Sequence, residues 1–261
     1  MKASRSGHKV GLRVHVDMPL AAGRSLALPP GAARHVQVLR AQPGDTVTLF
    51  DGTASVEWPA RIVGITRQGV QVELGEPVDV HRELAVAVTL ALGVPANDRM
   101  DALIEKAGEL GAAAIQPLVC ERSVVRVADA RADAKLRHWN AVAAAASEQC
   151  GRARVARVLP IRALADWLQD EPLPGRSDDG SRDVVLSFDA AAVAPGDALA
   201  VTVSSVRVLS GPEGGLTAAE EQAAVARGFV PVGLGPRVLR ADTAPLALLS
   251  WLALQSMRET G

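Results

Sequence analysis

The tightest constraint on this chain lies in residues 201–245, where an apolar, β-branched run is followed by two glycine-rich turns. Val201 to Leu209 has the composition of a strand buried on both faces. Gly211, Pro212, Gly214 and Gly215 end it and surround one carboxylate, Glu213. Thr217 and Glu220 stand at the spacing of a capping box, so a helix starts there. Gly228 is placed to end that helix. Phe229 to Leu234 predicts a short strand, and Gly235 to Arg240 a second irregular turn. Asp242, Thr243 and Pro245 then open a last apolar helix. Two glycine turns at successive strand ends suit an α/β sheet, and the ends of such strands are where ligands bind.

The rest of the chain changes rhythm once. Residues 1–78 read as β, with short runs at Gly11–Val16, Thr46–Phe50, Ser55–Ile65 and Gly69–Leu74. One short helix fits Gly31 to Leu39, and the whole suggests a small barrel. Residues 76–83, EPVDVHRE, form a polar bridge. Beyond it apolar strands at Ala85–Leu92, Ile115–Val119, Val155–Leu159 and Val184–Phe188 alternate with helices at Asp98–Leu110, Asp133–Gln149 and Ile161–Leu168. That alternation predicts a mostly parallel sheet covered on both faces. Residues 171–182, EPLPGRSDDGSR, have the composition of a surface loop.

Composition excludes several classes. Hydrophobic residues are 48% of the chain but aromatics only 3%, so the core is Val, Leu and Ala. Cys120 and Cys150 are too few for a disulfide framework or a zinc cluster and suit a reducing, cytoplasmic setting. No signal-peptide h-region and no membrane-length apolar run is present. A net charge of −1 argues against a protein that coats nucleic acid non-specifically. All of the 28 basic residues except Lys2, Lys9, Lys106 and Lys135 are arginine, which suits phosphate contacts and also follows from a GC-rich genome. There is no G-x-G-x-x-G after a strand, no P-loop, no HExxH, no GxSxG and no CxxC. Metal and covalent-nucleophile chemistry therefore lack a constellation, and the glycine loops call for a ligand bound by main chain.

GPEGG at 211–215 followed by LGPRVLRADTA at 234–244 resembles the signature of the SPOUT methyltransferases, and more narrowly that of the RsmE-type 16S rRNA (uridine-N3) methyltransferases. HVQVLR at 35–40, FDG at 50–52, EKAGELG at 105–111, ERSVV at 121–125 and SEQCGR at 147–152 extend the resemblance over nearly the whole chain. Two departures stand out: Ala241-Asp242 where the family carries Thr-Glu, and Ala96-Asn97 where it carries Lys-Gly. The resemblance implies a PUA-like RNA-binding β-barrel over 1–78 and a SPOUT α/β domain over 79–261, with a deep trefoil knot over roughly 184–258. It implies S-adenosyl-L-methionine as cofactor, 16S rRNA or the small ribosomal subunit as substrate, no metal, and a homodimer through the C-terminal knot region. Periodicity alone gives no hint of the knot.

Carried over residue by residue, the cofactor loops are Ser187-Phe188, Gly211, Pro212, Glu213, Gly214, Gly215, Leu234-Gly235, and Val238, Leu239 and Arg240. Methyl transfer to uridine N3 requires loss of a weakly acidic proton and donors for the charge that develops on the flanking carbonyls. Arg240, which ends the second loop, is the first candidate donor, with Arg152 second beside Gln149. Asp242 or Glu148 is placed to accept the proton, although Asp242 also suits a helix cap. Arg34, His35, Arg40, Arg99 and Arg122 form the candidate RNA-facing set; His35 alone reads better as a satisfied histidine. On the last helix, Leu246, Leu249, Leu252 and Ala253 are expected in the core, leaving Leu248, Trp251 and Leu254 for a dimer partner. Two rival functions stay open: a SPOUT enzyme acting on a ribose 2′-OH, and a non-catalytic assembly factor with a relic pocket.

Overall fold

In the computed structural model the described residues are 11–67, 69–95, 99–123, 132–170, 180–199 and 203–256. They fall into two compact units. Asp98, expected to cap a helix, the Ala96-Asn97 departure, and 171–179 of the expected loop lie outside the described residues.

The first unit comprises residues 1–83 together with 147–155. Its elements are β1 (Arg13–His15), β2 (Ser25–Ala27), α1 (Pro30–Val38), β3 (Thr46–Phe50), β4 (Val56–Thr66), β5 (Gly69–Leu74) and β6 (Val78–Asp79). The sheet runs β1-β3-β4-β5-β2, with β6 added to β4, and only the β1–β3 pair is parallel. Alternation along β5 buries Val70, Val72 and Leu74 in one core with Val14, Leu26, Val47 and Leu49. Where a barrel was expected the sheet is open: no pairing joins β1 to β2 among the described residues. The reason is α1. Pro30 at its first turn fixes the entry backbone. The helix then packs against β1 and β5 and buries Ala32, Ala33 and Val36, so side chains take the place of ladder hydrogen bonds.

The second unit comprises residues 84–146 and 156–261. In order its elements are β7 (Ala87–Gly93), α2 (Arg99–Glu109), β8 (Ala114–Val119), α3 (Ala132–Cys150), β9 (Arg157–Val158), β10 (Arg162–Ala163), α4 (Leu164–Asp170), β11 (Ser181–Leu186), α5 (Pro195–Ala198), β12 (Ser205–Ser210), α6 (Ala218–Ala226), β13 (Val230–Val232) and α7 (Thr243–Ser256). The last turn of α3 groups with the first unit, so no single cut in the sequence separates the two. The sheet order is β10-β8-β7-β12-β11-β13, with β9 on β8, and every pair is parallel. Continuous apolar strands such as β7 and β8 are what two covered faces require. β12 pairs with β7, the first strand of the unit, and this brings the C-terminal third to the middle of the sheet. α7 packs against α2 and β12. Its burial differs from expectation: Leu248 is fully buried beside Leu249 and Leu252, while Leu246, Trp251 and Ala253 are half-buried and Leu254 is exposed. No described helix is long and apolar enough to cross a membrane.

Candidate active site

Three strand ends build one cavity. Leu186 ends β11 and Ser187 to Asp189 follow it, Ser210 ends β12 and Gly211 to Leu216 follow it, and Val232 ends β13 with Leu234 just beyond. Together with residues of the second loop they enclose about 400 Å³. Small-molecule sites of α/β sheets occupy this position, at the carboxyl ends of parallel strands, and this volume lies in their usual range of roughly 300–1,000 Å³.

The first loop is tight because glycine makes it so. A Cβ on Gly211 would stand 2.6 Å from Leu216 N, so the turn closes on its own backbone. A Cβ on Gly93, at the end of β7, would stand 2.5 Å from both Pro212 N and Pro212 Cδ. Gly215 has φ +70°, in the left-handed region, and a Cβ there would meet nothing within 4 Å. Gly215 N donates to Pro212 O at 2.8 Å, and Arg122 Nη1 donates to Gly214 O at 2.8 Å and to Leu216 O at 3.3 Å. Thr217 and Glu220 form the complete capping box expected for α6. Loop and helix start are therefore fixed together.

Around this loop the walls divide by chemistry. Phe188 and Val238 are 71% and 83% exposed, so two large apolar side chains stand in solvent at the cavity. Ser187 is buried; its hydroxyl donates to Glu221 and accepts from Asp189 N. Glu221, Asp189, Arg122 and Arg237 are the charged lining residues besides Glu213. Buried Cys120 nearby is no nucleophile: burial pushes its thiol up to about 12, with the Glu220 charge adding to the shift.

Of the residues expected to hold a cofactor, Ser187, Phe188, Gly211, Pro212, Glu213, Gly214, Gly215, Leu234, Val238 and Leu239 line this cavity. Gly235 and Arg240 do not line it, though both belong to the second loop. Arg240 is exposed, has no side-chain partner among the described residues, and through its carbonyl accepts the first N–H groups of α7 from Thr243 and Ala244. Its chain neighbours Leu239 and Ala241 are wall residues. Asp242 accepts from the Thr243 hydroxyl and lines a second groove with Leu103 and Lys106 of α2.

Arg152 and Glu148 fall in the first unit. Arg152 is 4% exposed and makes a forked pair with Glu83, at 3.1 and 2.5 Å to Oε2. Its carbonyl accepts from Arg13. Glu148 accepts from His15 N at 2.8 Å and lies 3.4 Å from His35 Nδ1. Both side chains hold residues 147–155 to the first unit. Of the candidate RNA-facing residues, Arg34 and Arg40 are exposed, and Arg40 has a left-handed backbone at φ +56°. Arg99 lies 3.6 Å from Glu213, and Arg122 braces the first loop. Sequence reasoning missed Asp189, Ser210, Glu221 and Arg237 as wall residues. Arg237 lies inside the same GPRVLR segment, and that position was the only signal available.

A family model described as an RNA methyltransferase domain matches residues 82–253, and one described as an RNA methyltransferase PUA domain matches residues 28–75. The chain is 33% identical to ribosomal RNA small subunit methyltransferase E of Bacillus subtilis over 227 residues, covering 85% of this chain and 86% of that one. Its structure is similar to that of ribosomal RNA small subunit methyltransferase E of Neisseria gonorrhoeae bound to S-adenosyl methionine. The TM-score is 0.84 at 32% identity, covering 94% and 98% of the two chains. A Legionella pneumophila protein solved with the bound cofactor SAM gives a TM-score of 0.85 at 30% identity, covering 94% and 98%. The chain belongs to the RNA methyltransferase family that includes the ribosomal RNA small subunit methyltransferase E proteins.

Proposed function

We propose that this protein transfers a methyl group from S-adenosylmethionine to N3 of a uridine in small-subunit ribosomal RNA, uridine 1498 in the family's target. The observation that carries this reading is the convergence of two glycine loops, from different strands, on one cavity at the carboxyl ends of β11, β12 and β13. The residues fit the cofactor. Gly215 leaves open space beside main chain, Phe188 and Val238 offer apolar faces to an adenine, and Asp189 and Glu221 offer acceptors to hydroxyl or ammonium groups. Bound there, the cofactor supplies an electrophilic methyl on a sulfonium centre.

The chain's own residues then orient the uridine and carry its charge. Arg240 is a cation without a side-chain partner among the described residues, held at the loop end by its bonds to α7, and suits the carbonyl that gains charge as N3 loses its proton. Arg34 and Arg40 are exposed on the first unit and suit RNA phosphates. The final third threads as the trefoil knot expected of SPOUT proteins, a reading supported by the insertion of β12 between β7 and β11. A second copy covers the exposed part of α7 around Leu254. A monomeric mass at micromolar concentration rules the dimer out, and a crystal structure with an unthreaded chain end rules out the knot.

The decisive test supplies purified 30S particles and labelled S-adenosylmethionine, then maps the modified atom. Label on uridine N3 is expected, and label on a ribose 2′-OH or on no RNA overturns the assignment. Arg240→Ala should keep cofactor affinity within a few-fold and abolish transfer; wild-type turnover in that variant removes Arg240 from the mechanism.

A further inference from the structure

The cavity has an acidic corner, and which group of the cofactor it meets is open between hydroxyl and ammonium. Glu221 is the fourth residue of α6 and lines the cavity beside Ser187 and Asp189. The start of the helix does not need it, because Thr217 and Glu220 already complete the capping box. Ser187 is only 8% exposed, and its hydroxyl proton is committed to Glu221 Oε1 while its oxygen accepts from Asp189 N at 2.9 Å. Asp189 is turned back onto its own loop, where Oδ1 accepts from Ala191 N at 2.7 Å. Ser187 therefore pins one oxygen of Glu221. Oε2 has no hydrogen-bond partner among the described residues, and Glu221 is a wall residue of the cavity.

We propose that Glu221 holds the ribose diol of the methyl donor, with Ser187 as the residue that positions it. This rests on the cofactor reading above. An ionised carboxylate with a fixed orientation makes strong bonds to hydroxyl groups, and an acidic side chain does this for the ribose in dinucleotide folds. The alternative partner is the ammonium of the donor's amino-acid tail. The titration below separates the two partners, because one of its ligands lacks that tail.

Calorimetric titration of the full chain and of Glu221→Gln tests this with two ligands. S-adenosylmethionine carries ribose and tail, whereas 5′-methylthioadenosine carries the ribose without the tail. Glutamine keeps the shape and the Ser187 bond, and the fitted stoichiometry separates lost affinity from lost fold. Both ligands should weaken about tenfold, a loss of one charge-assisted bond. Weakening of S-adenosylmethionine alone assigns Glu221 to the ammonium and overturns the proposal, and so does wild-type affinity for both. If the wild-type chain binds neither ligand, the cofactor reading itself is overturned.

Discussion

A glycine turn that follows an apolar strand in the first unit and the first glycine loop of the second are used in opposite ways. Gly52 sits after β3 and Gly215 after β12, both in the left-handed region, at φ +77° and +70°. A Cβ on Gly52 would stand 2.8 Å from His15 Nε2 and 2.9 Å from Val155 Cγ2. A Cβ on Gly215 would meet nothing within 4 Å. Gly52 O accepts from Val155 N at 2.9 Å, so the first turn is the seam that joins residues 147–155 to their unit. The second turn opens on the cavity. Equal backbone geometry therefore carries two meanings, and what stands opposite the glycine decides between them. A filled turn serves packing, and an open turn at a strand end leaves room for a ligand.

Alanine at each position breaks or sharpens that contrast. Gly52→Ala adds the left-handed cost of roughly 1–2 kcal/mol to an overpacking cost of roughly 1–3 kcal/mol. The expected loss is about 3 kcal/mol, read as a thermal midpoint lower by roughly 6–12 °C for a chain of this size. Titration of the folded fraction with S-adenosylmethionine should give wild-type affinity. Gly215→Ala carries the backbone cost alone, so its midpoint should fall by only a few degrees while affinity drops at least about tenfold, since the new methyl enters ligand space. If the two variants trade these phenotypes, the distinction between filled and open turns is wrong.

The open turn is legible in the sequence because everything that makes it is local. Glycine, proline, a capping box and a strand ending at the same place specify a loop whatever packs around it. The filled turn is not. FDG gives no sign that Val155, more than a hundred residues away, will lie on it. The partners of Arg152 and Glu148 are just as distant in sequence, because residue type announces chemistry but not neighbours. Glu83, which holds Arg152, lies 69 positions upstream. Asp242 illustrates a finer limit. It adjoins Ala241, a wall of the cavity, and itself lines another groove with residues of α2. Burial along α7 differs from expectation for a related reason, since a helix apolar on nearly every side gives no phase to read. The open edge of the first sheet depends on α1 packing where a strand pair was expected, and pattern alone does not distinguish a helix lid from a closed barrel.

A smaller effect is expected from Arg122, a wall residue that braces the open turn. Its guanidinium donates to Gly214 O and Leu216 O, and a Cβ on Gly214 would come within 3.1 Å of its Cβ. Arg122→Ala removes two exposed bonds to neutral carbonyls, worth about 1 kcal/mol together. The loop keeps its shape through the Gly215–Pro212 bond and the capping box. Affinity for S-adenosylmethionine should therefore fall only about fivefold, with the midpoint nearly unchanged. A complete loss of binding would mean that Arg122 touches the ligand directly, and the loop would then be less self-sufficient than its backbone bonds imply.

The smallest effect belongs to the charge of the filled turn. Asp51 precedes Gly52, and its Oδ1 accepts from Thr53 N at 2.8 Å and Ala54 N at 3.2 Å. Partial burial pushes its carboxyl up, but those N–H donors, the Thr53 hydroxyl and the nearby His15 outweigh it and hold the group below its ordinary value. A depressed folded value stabilises the protein above the unfolded value of about 3.9, and this contribution is lost as pH falls through the folded value. The group is mostly solvated, so screening limits the gain to a few tenths of a kcal/mol, as for surface pairs. An asparagine side chain at this position keeps an acceptor for both N–H groups and loses the charge. Asp51→Asn should then melt about 1 °C lower at pH 7. That gap should close as the pH is taken below about 3.9, measured by thermal melts across the acid range. A gap that widens toward acid would show that the carboxylate destabilises the turn, and hydrogen bonding would no longer account for the tight closure around Gly52.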